Sequence, residues 1–248
     1  MTTARGPQRV DGWTASVRER LGLGRLLPLG GPADGAWIAE TAAASVLHEA
    51  AALPGTVLGK LRIGPTEEAL QAAVAGGGPD ASPGPAAPAP PPAPPSALPP
   101  GPLRIEAEFS ATPDRPLPDT AAALRAALLT AAAARLGLEV AEVDLTVTAL
   151  LEDGATDQVT AAETAPPAPG VKPEGPVATA AAGVPGVVSL TRVLGGPVHT
   201  SHDHVRVEVA TAGDHRALDV ARSVRTAVAA AAEERLPVSV LVTRVVSR

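Results

Sequence analysis

The sequence predicts an α+β fold in which one small α-β-β-α-β unit occurs twice. Each copy is expected to be a three-stranded sheet with its helices on one face, and disordered proline-rich segments interrupt the pattern. Three observations carry this reading. Asp119–Leu136 and Asp219–Leu236 share Asp, Arg, Arg and Leu in register at 119/219, 125/225, 135/235 and 136/236, with Leu124 and Leu128 matched by Val224 and Val228. The flanks recur as well. LRIEA (Leu103–Ala107) matches VRVEV (Val205–Val209), and VDLTVTAL (Val143–Leu150) matches VSVLVTRV (Val238–Val245). Leu53-Pro54-Gly55 and Val184-Pro185-Gly186 each follow an alanine-rich stretch. Four blocks in the same order are the mark of an internal repeat.

Each element has a local cause. Ile38, Ala42, Val46, Ala50 and Leu53 recur at near-helical spacing, so an amphipathic helix is predicted over Trp37–Ala52. Pro54-Gly55 ends it, since proline cannot continue the ladder and glycine permits a tight exit. Strands follow at Val57–Ile63 and Leu103–Phe109, the latter alternating apolar and polar residues. Asp119 is a candidate N-cap for the next helix, and Leu124, Leu128 and Ala131 lie on one of its faces. Val143–Leu150 closes the first copy as a strand. In the second copy the first helix is short, Pro176–Ala182, and the strands are Val187–Leu194, Val205–Ala210 and Val238–Val246. Each sheet is small, so the two copies are candidates to share one continuous sheet.

The resulting map has four parts: an N-terminal extension with a short helix over 1–36, a first unit over 37–151, an acidic and Pro/Gly-rich linker over 152–176, and a second unit over 177–248. Within the first unit, residues 76–102 read GGGPDASPGPAAPAPPPAPPSALPPGP, a polyproline II composition that cannot build a core. Pro88-x-x-Pro91 and Pro91-x-x-Pro94 match the ligands of polyproline-reading domains, but no basic residue flanks them to set their direction. A linker is the preferred reading.

Composition narrows the function. The chain has no Cys and no Tyr, one Phe and two Trp among 248 residues, so its core is built of small aliphatic side chains. Absent cysteine removes disulfides, thiolate metal sites and cysteine nucleophiles. A net charge of −6 gives no general attraction to nucleic acid or anionic lipid. No stretch approaches a transmembrane span, and Met1–Arg20 has no signal-peptide core, so a cytoplasmic location is expected. Trp13–Leu27, with Arg18, Arg20 and Arg25, has a composition suited to peripheral association with a membrane surface. A helix docked on the first unit is preferred.

The densest polar cluster is His199, His202, Asp203 and His204, the only plausible metal ligands. They lie in a loop entering a strand, and a solvated hairpin loop is the preferred reading. His48 and His215 are isolated and expected to be exposed. Gly22-Leu23-Gly24 lacks the third glycine of a dinucleotide fingerprint and follows no strand. Glu67-Glu68 and Glu233-Glu234 are read as solvated helix surface, because neighbours in sequence diverge on a helix. No catalytic, cofactor-binding or metal-binding residue is nominated, and no cofactor is expected.

The Ala-rich helix, the Pro185-Gly186-Val187 turn, the VRVEV strand, the Val220–Val228 helix and the closing Val238–Thr243 strand resemble the bacterial alkaline-shock or envelope-stress-response family in two tandem copies. The whole chain, especially Trp13–Glu40, is similar to actinobacterial proteins labelled as a nucleopolyhedrovirus p-ten family. The first resemblance implies a non-catalytic protein on the cytoplasmic side, self-associating or bound to other proteins, and linked to the envelope. It offers no catalytic residue to carry over. Two other classes stand beside it. A nucleic-acid-binding module fits the α-β-β-α-β order, but the chain lacks a Gly-x-x-Gly loop between helices and aromatics for stacking. A metal-dependent enzyme rests only on the His199–His204 cluster.

Overall fold

In the computed structural model, which describes residues 22–76, 91–152 and 170–247, the chain forms two mixed sheets and five helices around one hydrophobic cluster. The strands are β1 (Leu26–Pro28), β2 (Ala36–Ala39), β3 (Thr56–Pro65), β4 (Leu103–Ala111), β5 (Val140–Leu150), β6 (Val187–Leu190), β7 (Val198–Thr200), β8 (Val205–Ala212) and β9 (Val238–Val246). The helices are α1 (Glu40–Ala50), α2 (Glu67–Gly76), α3 (Leu117–Ala131), α4 (Gly175–Ala182) and α5 (Ala217–Ala231). A π-helical turn over Ala132–Leu136 extends α3 and stops at Gly137, whose φ of +89° suits glycine.

The smaller sheet has the order β3-β4-β5, with β3 antiparallel and β5 parallel to β4. Leu103, Ile105, Ala107, Phe109 and Ala111 alternate onto its buried face. The larger sheet has the order β1-β2-β9-β8-β6, with β7 also paired to β8. Here β6 and β7 are antiparallel to β8, whereas β9 is parallel to it. Both sheets thus use the same connection: helix, strand, antiparallel strand, crossover helix, parallel strand.

Local details match across the halves. Thr112 N–H donates to Gly55 O at 2.8 Å, and Ala212 N–H donates to Gly186 O at 2.8 Å. Asp119 and Asp219 each donate their N–H to the residue three before, at 3.0 Å. Each parallel pair has an irregularity at a threonine: Thr148 Oγ1 donates to Phe109 O and Thr243 Oγ1 to Val209 O, both at 3.2 Å. These bonds pair Phe109 with Val209, so the LRIEA/VRVEV match is displaced by two residues from the spatial one.

Several expectations are corrected. Trp37–Ala39 belong to strand β2, not to the first helix, because Ala36-Trp37-Ile38-Ala39 is buried throughout between β1 and β9. The helix starts at Glu40. The N-terminal segment therefore completes the larger sheet, which has six strands rather than three, and Leu26 and Leu27 lie in β1. The proposed helix before them lies outside the described residues. There are two sheets, not one continuous one. The strand expected over Val187–Leu194 stops at Leu190 and resumes as β7. Glu208, fully buried, accepts the N–H groups of Val193 at 2.6 Å and Leu194 at 3.1 Å, pulling that segment off the ladder. Asp119 is not the N-cap but sits at the third helical position, where its charge still complements the helix dipole. Glu233-Glu234 lie in a bend just past α5.

The proline-rich stretch is also corrected where it is described. Residues 91–102 run along the protein rather than out into solvent. Leu98 N–H donates to Leu26 O at 2.8 Å, Leu26 N–H to Ser96 O at 3.4 Å, and Thr66 N–H to Pro102 O at 3.0 Å. Pro91 and Pro94 are buried while Pro92, Ala93 and Pro95 are exposed, the three-residue period of polyproline II. Residues 77–90 lie outside the described residues, as does most of the 152–176 linker. At the end of that linker, Val171 N–H donates to Leu190 O at 3.0 Å.

Candidate functional site

His199 lies in β7, and His202, Asp203 and His204 occupy the turn into β8. His204 Nδ1 meets Asp203 Oδ1 at 2.8 Å, and that hydrogen bond is the main cause holding the Asp203 carboxyl below its usual range. His202 is 90% exposed and 3.9 Å from the same carboxylate, and the His199 and His204 rings are 6.2 Å apart. Among the described residues, no group of three or more His, Asp or Glu side chains is placed to hold a metal ion. Glu67 and Glu68 occupy the first turn of α2 and face solvent. His215 is exposed, but His48 is half-buried, its ring lying between Ala44 O at 2.8 Å and Gly59 O at 3.0 Å.

Two shallow depressions mark the surface. One is lined by Glu40, Thr41, Ala44, Lys60, Leu61 and Arg62. Its carboxylate is already engaged: Glu40 accepts from Arg25 Nη2 and from Ile63 N–H, both at 3.0 Å, and from Arg25 Nε at 3.2 Å. Burial pushes the Glu40 carboxyl upward, but these bonds and the Arg25 charge outweigh it and hold it below the usual glutamate value. This carboxylate joins the strand entry at Arg25 to β3, so it fastens the two sheets together. The other depression is lined mainly by alanines of α1 and α3. Neither presents a nucleophile beside a base.

What remains is a strand edge. Among the described residues β5 pairs only with β4, whereas its counterpart β9 is flanked by β8 and β2. The hydrogen-bonding parity of β5 is readable. Arg125 Nε, from α3, donates to Val143 O at 3.1 Å, so Val143 turns its carbonyl outward. Leu145 and Val147 follow at the two-residue period. In the larger sheet the corresponding Val240 N–H donates to Gly35 O at 2.9 Å as β2 begins.

The side chains around the two edges differ accordingly. Beside β9, Arg222 of α5 forms a two-point pair with Asp34, at 2.8 and 3.0 Å, and Arg225 donates to Ala33 O, gripping the turn that leads into β2. Beside β5 the positions matching 222, 225 and 229 are Ala122, Arg125 and Leu129, all exposed, with Leu129 at 39%. Val147 is 41% and Leu150 61% exposed on β5 itself. Open edge and apolar helix flank thus lie side by side. In the sequence Arg125 stands out only as a repeat marker, matched by Arg225. The alternation of Val143, Leu145 and Val147 marks a strand but does not tell whether its edge is open.

Comparison with known proteins finds no matching family model, no similar curated protein and no similar solved structure. Among the described residues, no helix is long and apolar enough to cross a membrane.

Proposed function

We propose that this chain is a non-catalytic, cytoplasmic-side protein-binding scaffold, made of two copies of one α-β-β-α-β unit. Common connectivity, the paired Gly55/Gly186 and Thr148/Thr243 hydrogen bonds and the aligned Asp119 and Asp219 support the duplication. The role in envelope stress is what the alkaline-shock resemblance implies for such a scaffold.

The observation that carries the binding reading is the edge of β5 that no described strand covers, beside exposed Leu129, Val147 and Leu150. An unpaired strand edge presents a row of free N–H and C=O groups, and adding a strand to it is a general mode of protein recognition. The test is capture from native cells with mass spectrometry, comparing the wild-type chain with a Val147→Lys variant. Proteins retained by the first and lost from the second are expected. Identical capture by both would remove β5 as the binding surface.

A further inference from the structure

We infer that the β5 edge pairs with the β5 edge of a second copy, antiparallel about a two-fold axis at Leu145, joining two three-stranded sheets into one of six strands. This rests on the protein-binding reading and names the partner. Four features of the β5 edge and its flank lead to it.

The first is hydrogen-bonding parity. Val143, Leu145 and Val147 turn their backbone groups outward, so an axis at Leu145 sets Leu145 opposite itself and Val143 opposite Val147 as hydrogen-bonded pairs. The second is charge. On the solvent face this register places Asp144 opposite Thr146 and Glu142 opposite Thr148 of the second copy, with no carboxylate facing another. An axis at Val143 would set Glu142 against Asp144, and one at Asp144 would set Asp144 against itself, both repulsive. The diagonal approach of the two Asp144 side chains is blunted because Arg104 Nε holds each at 2.5 Å.

The third is the bulge at Thr148, which the Leu145 register leaves at the end of the ladder. The fourth is the helix flank. Where the strand edge is already covered, arginines at 222 and 225 grip the incoming turn; beside β5, Ala122 and Leu129 offer small apolar surface to a second α3. Arg125 releases Val143 O on pairing, as Arg225 has turned to Ala33 O instead of a strand of its own sheet.

Sedimentation of the full chain across the micromolar range tests this. The expected species is a concentration-dependent dimer of twice 24.6 kDa. Thr146 is exposed, so its variants keep the fold. Thr146→Glu places two like-charge pairs across the axis and weakens dimerisation about fivefold, while Thr146→Lys places two opposite-charge pairs and tightens it. Because the chain has no cysteine, oxidised Leu145→Cys should migrate as a covalent dimer and Ala141→Cys should not. A chain that stays monomeric throughout, or a dimer equally tight in both Thr146 variants, overturns the inference. If the chain is monomeric yet Val147→Lys still abolishes capture of other proteins, the protein-binding reading survives and this one alone fails.

Discussion

Replacing Pro91 and Pro94 with alanine should destabilise the protein, and replacing Pro92 and Pro95 should not. Each Pro→Ala change removes two ring methylenes. Pro91 and Pro94 are buried, with Pro91 packed on Gly35, so the first pair uncovers four buried groups. At about 0.8 kcal/mol per buried methylene, that loss is about 3 kcal/mol. Both pairs also loosen the unfolded chain to the same extent, by about 0.4–1 kcal/mol per proline, so this contribution cancels in the comparison. For a chain of this size, 1 kcal/mol corresponds to about 2–4 °C, so the buried pair should melt about 6–12 °C below the exposed pair. Differential scanning calorimetry of the two double variants measures the difference directly. Equal melting temperatures would mean that the proline segment is not packed, and the docking of residues 91–102 on β1 would have to be abandoned.

Other consequences follow from the same contacts. Glu40→Gln leaves Arg25 without its carboxylate and should lower unfolding free energy by about 2–3 kcal/mol in urea titrations at neutral pH. Because the folded-state Glu40 carboxyl is held below its unfolded value, its contribution is complete above the unfolded pKa and is lost as pH falls through the folded one. The gap between wild type and Glu40→Gln should therefore close on acidification, and a gap constant with pH would refute the assignment. Gly35→Ala forces a side chain against Pro91 at a φ of +56°, and should cost about 2 kcal/mol, part of which Pro91→Ala restores; additive losses would show that the two do not touch. Arg222→Ala breaks an exposed pair and should change stability by less than about 1 kcal/mol, read by thermal melting. Protein purified without chelators should carry no stoichiometric metal, and a metal lost on His202→Ala would restore the metal-enzyme reading.

The elements legible in the sequence were those with a strong local period. The strands at Leu103–Phe109 and Val143–Leu150 and the helices bearing Asp119 and Asp219 lie where alternation and helical spacing put them, and β9 spans Val238–Val246. What was hidden depends on distant partners. Ala36–Ala39 has helical spacing when read with Ala42 and Val46, yet it becomes a strand because β1 and β9 are there to pair with it. Glu208 occupies a polar position of an alternating strand, but its carboxylate is buried to hold Val193 and Leu194, which interrupts the expected strand at Leu190. Pro91 and Pro94 look like spacer by composition, and only the position of β1 gives their three-residue period a surface to fit. The candidate site was concealed for a related reason. An open edge is defined by which strand fails to arrive, and no residue of β5 records that.

Residue-resolved amide exchange in dilute solution tests the open edge most directly. Val240 N–H, bonded to Gly35 O, should be strongly protected, whereas Leu145 N–H, its counterpart on β5, should exchange at least about a hundredfold faster and become protected as a partner strand binds. Equal protection of Leu145 and Val240 at dilutions where the chain is monomeric would show the β5 edge already covered, and would contradict the account.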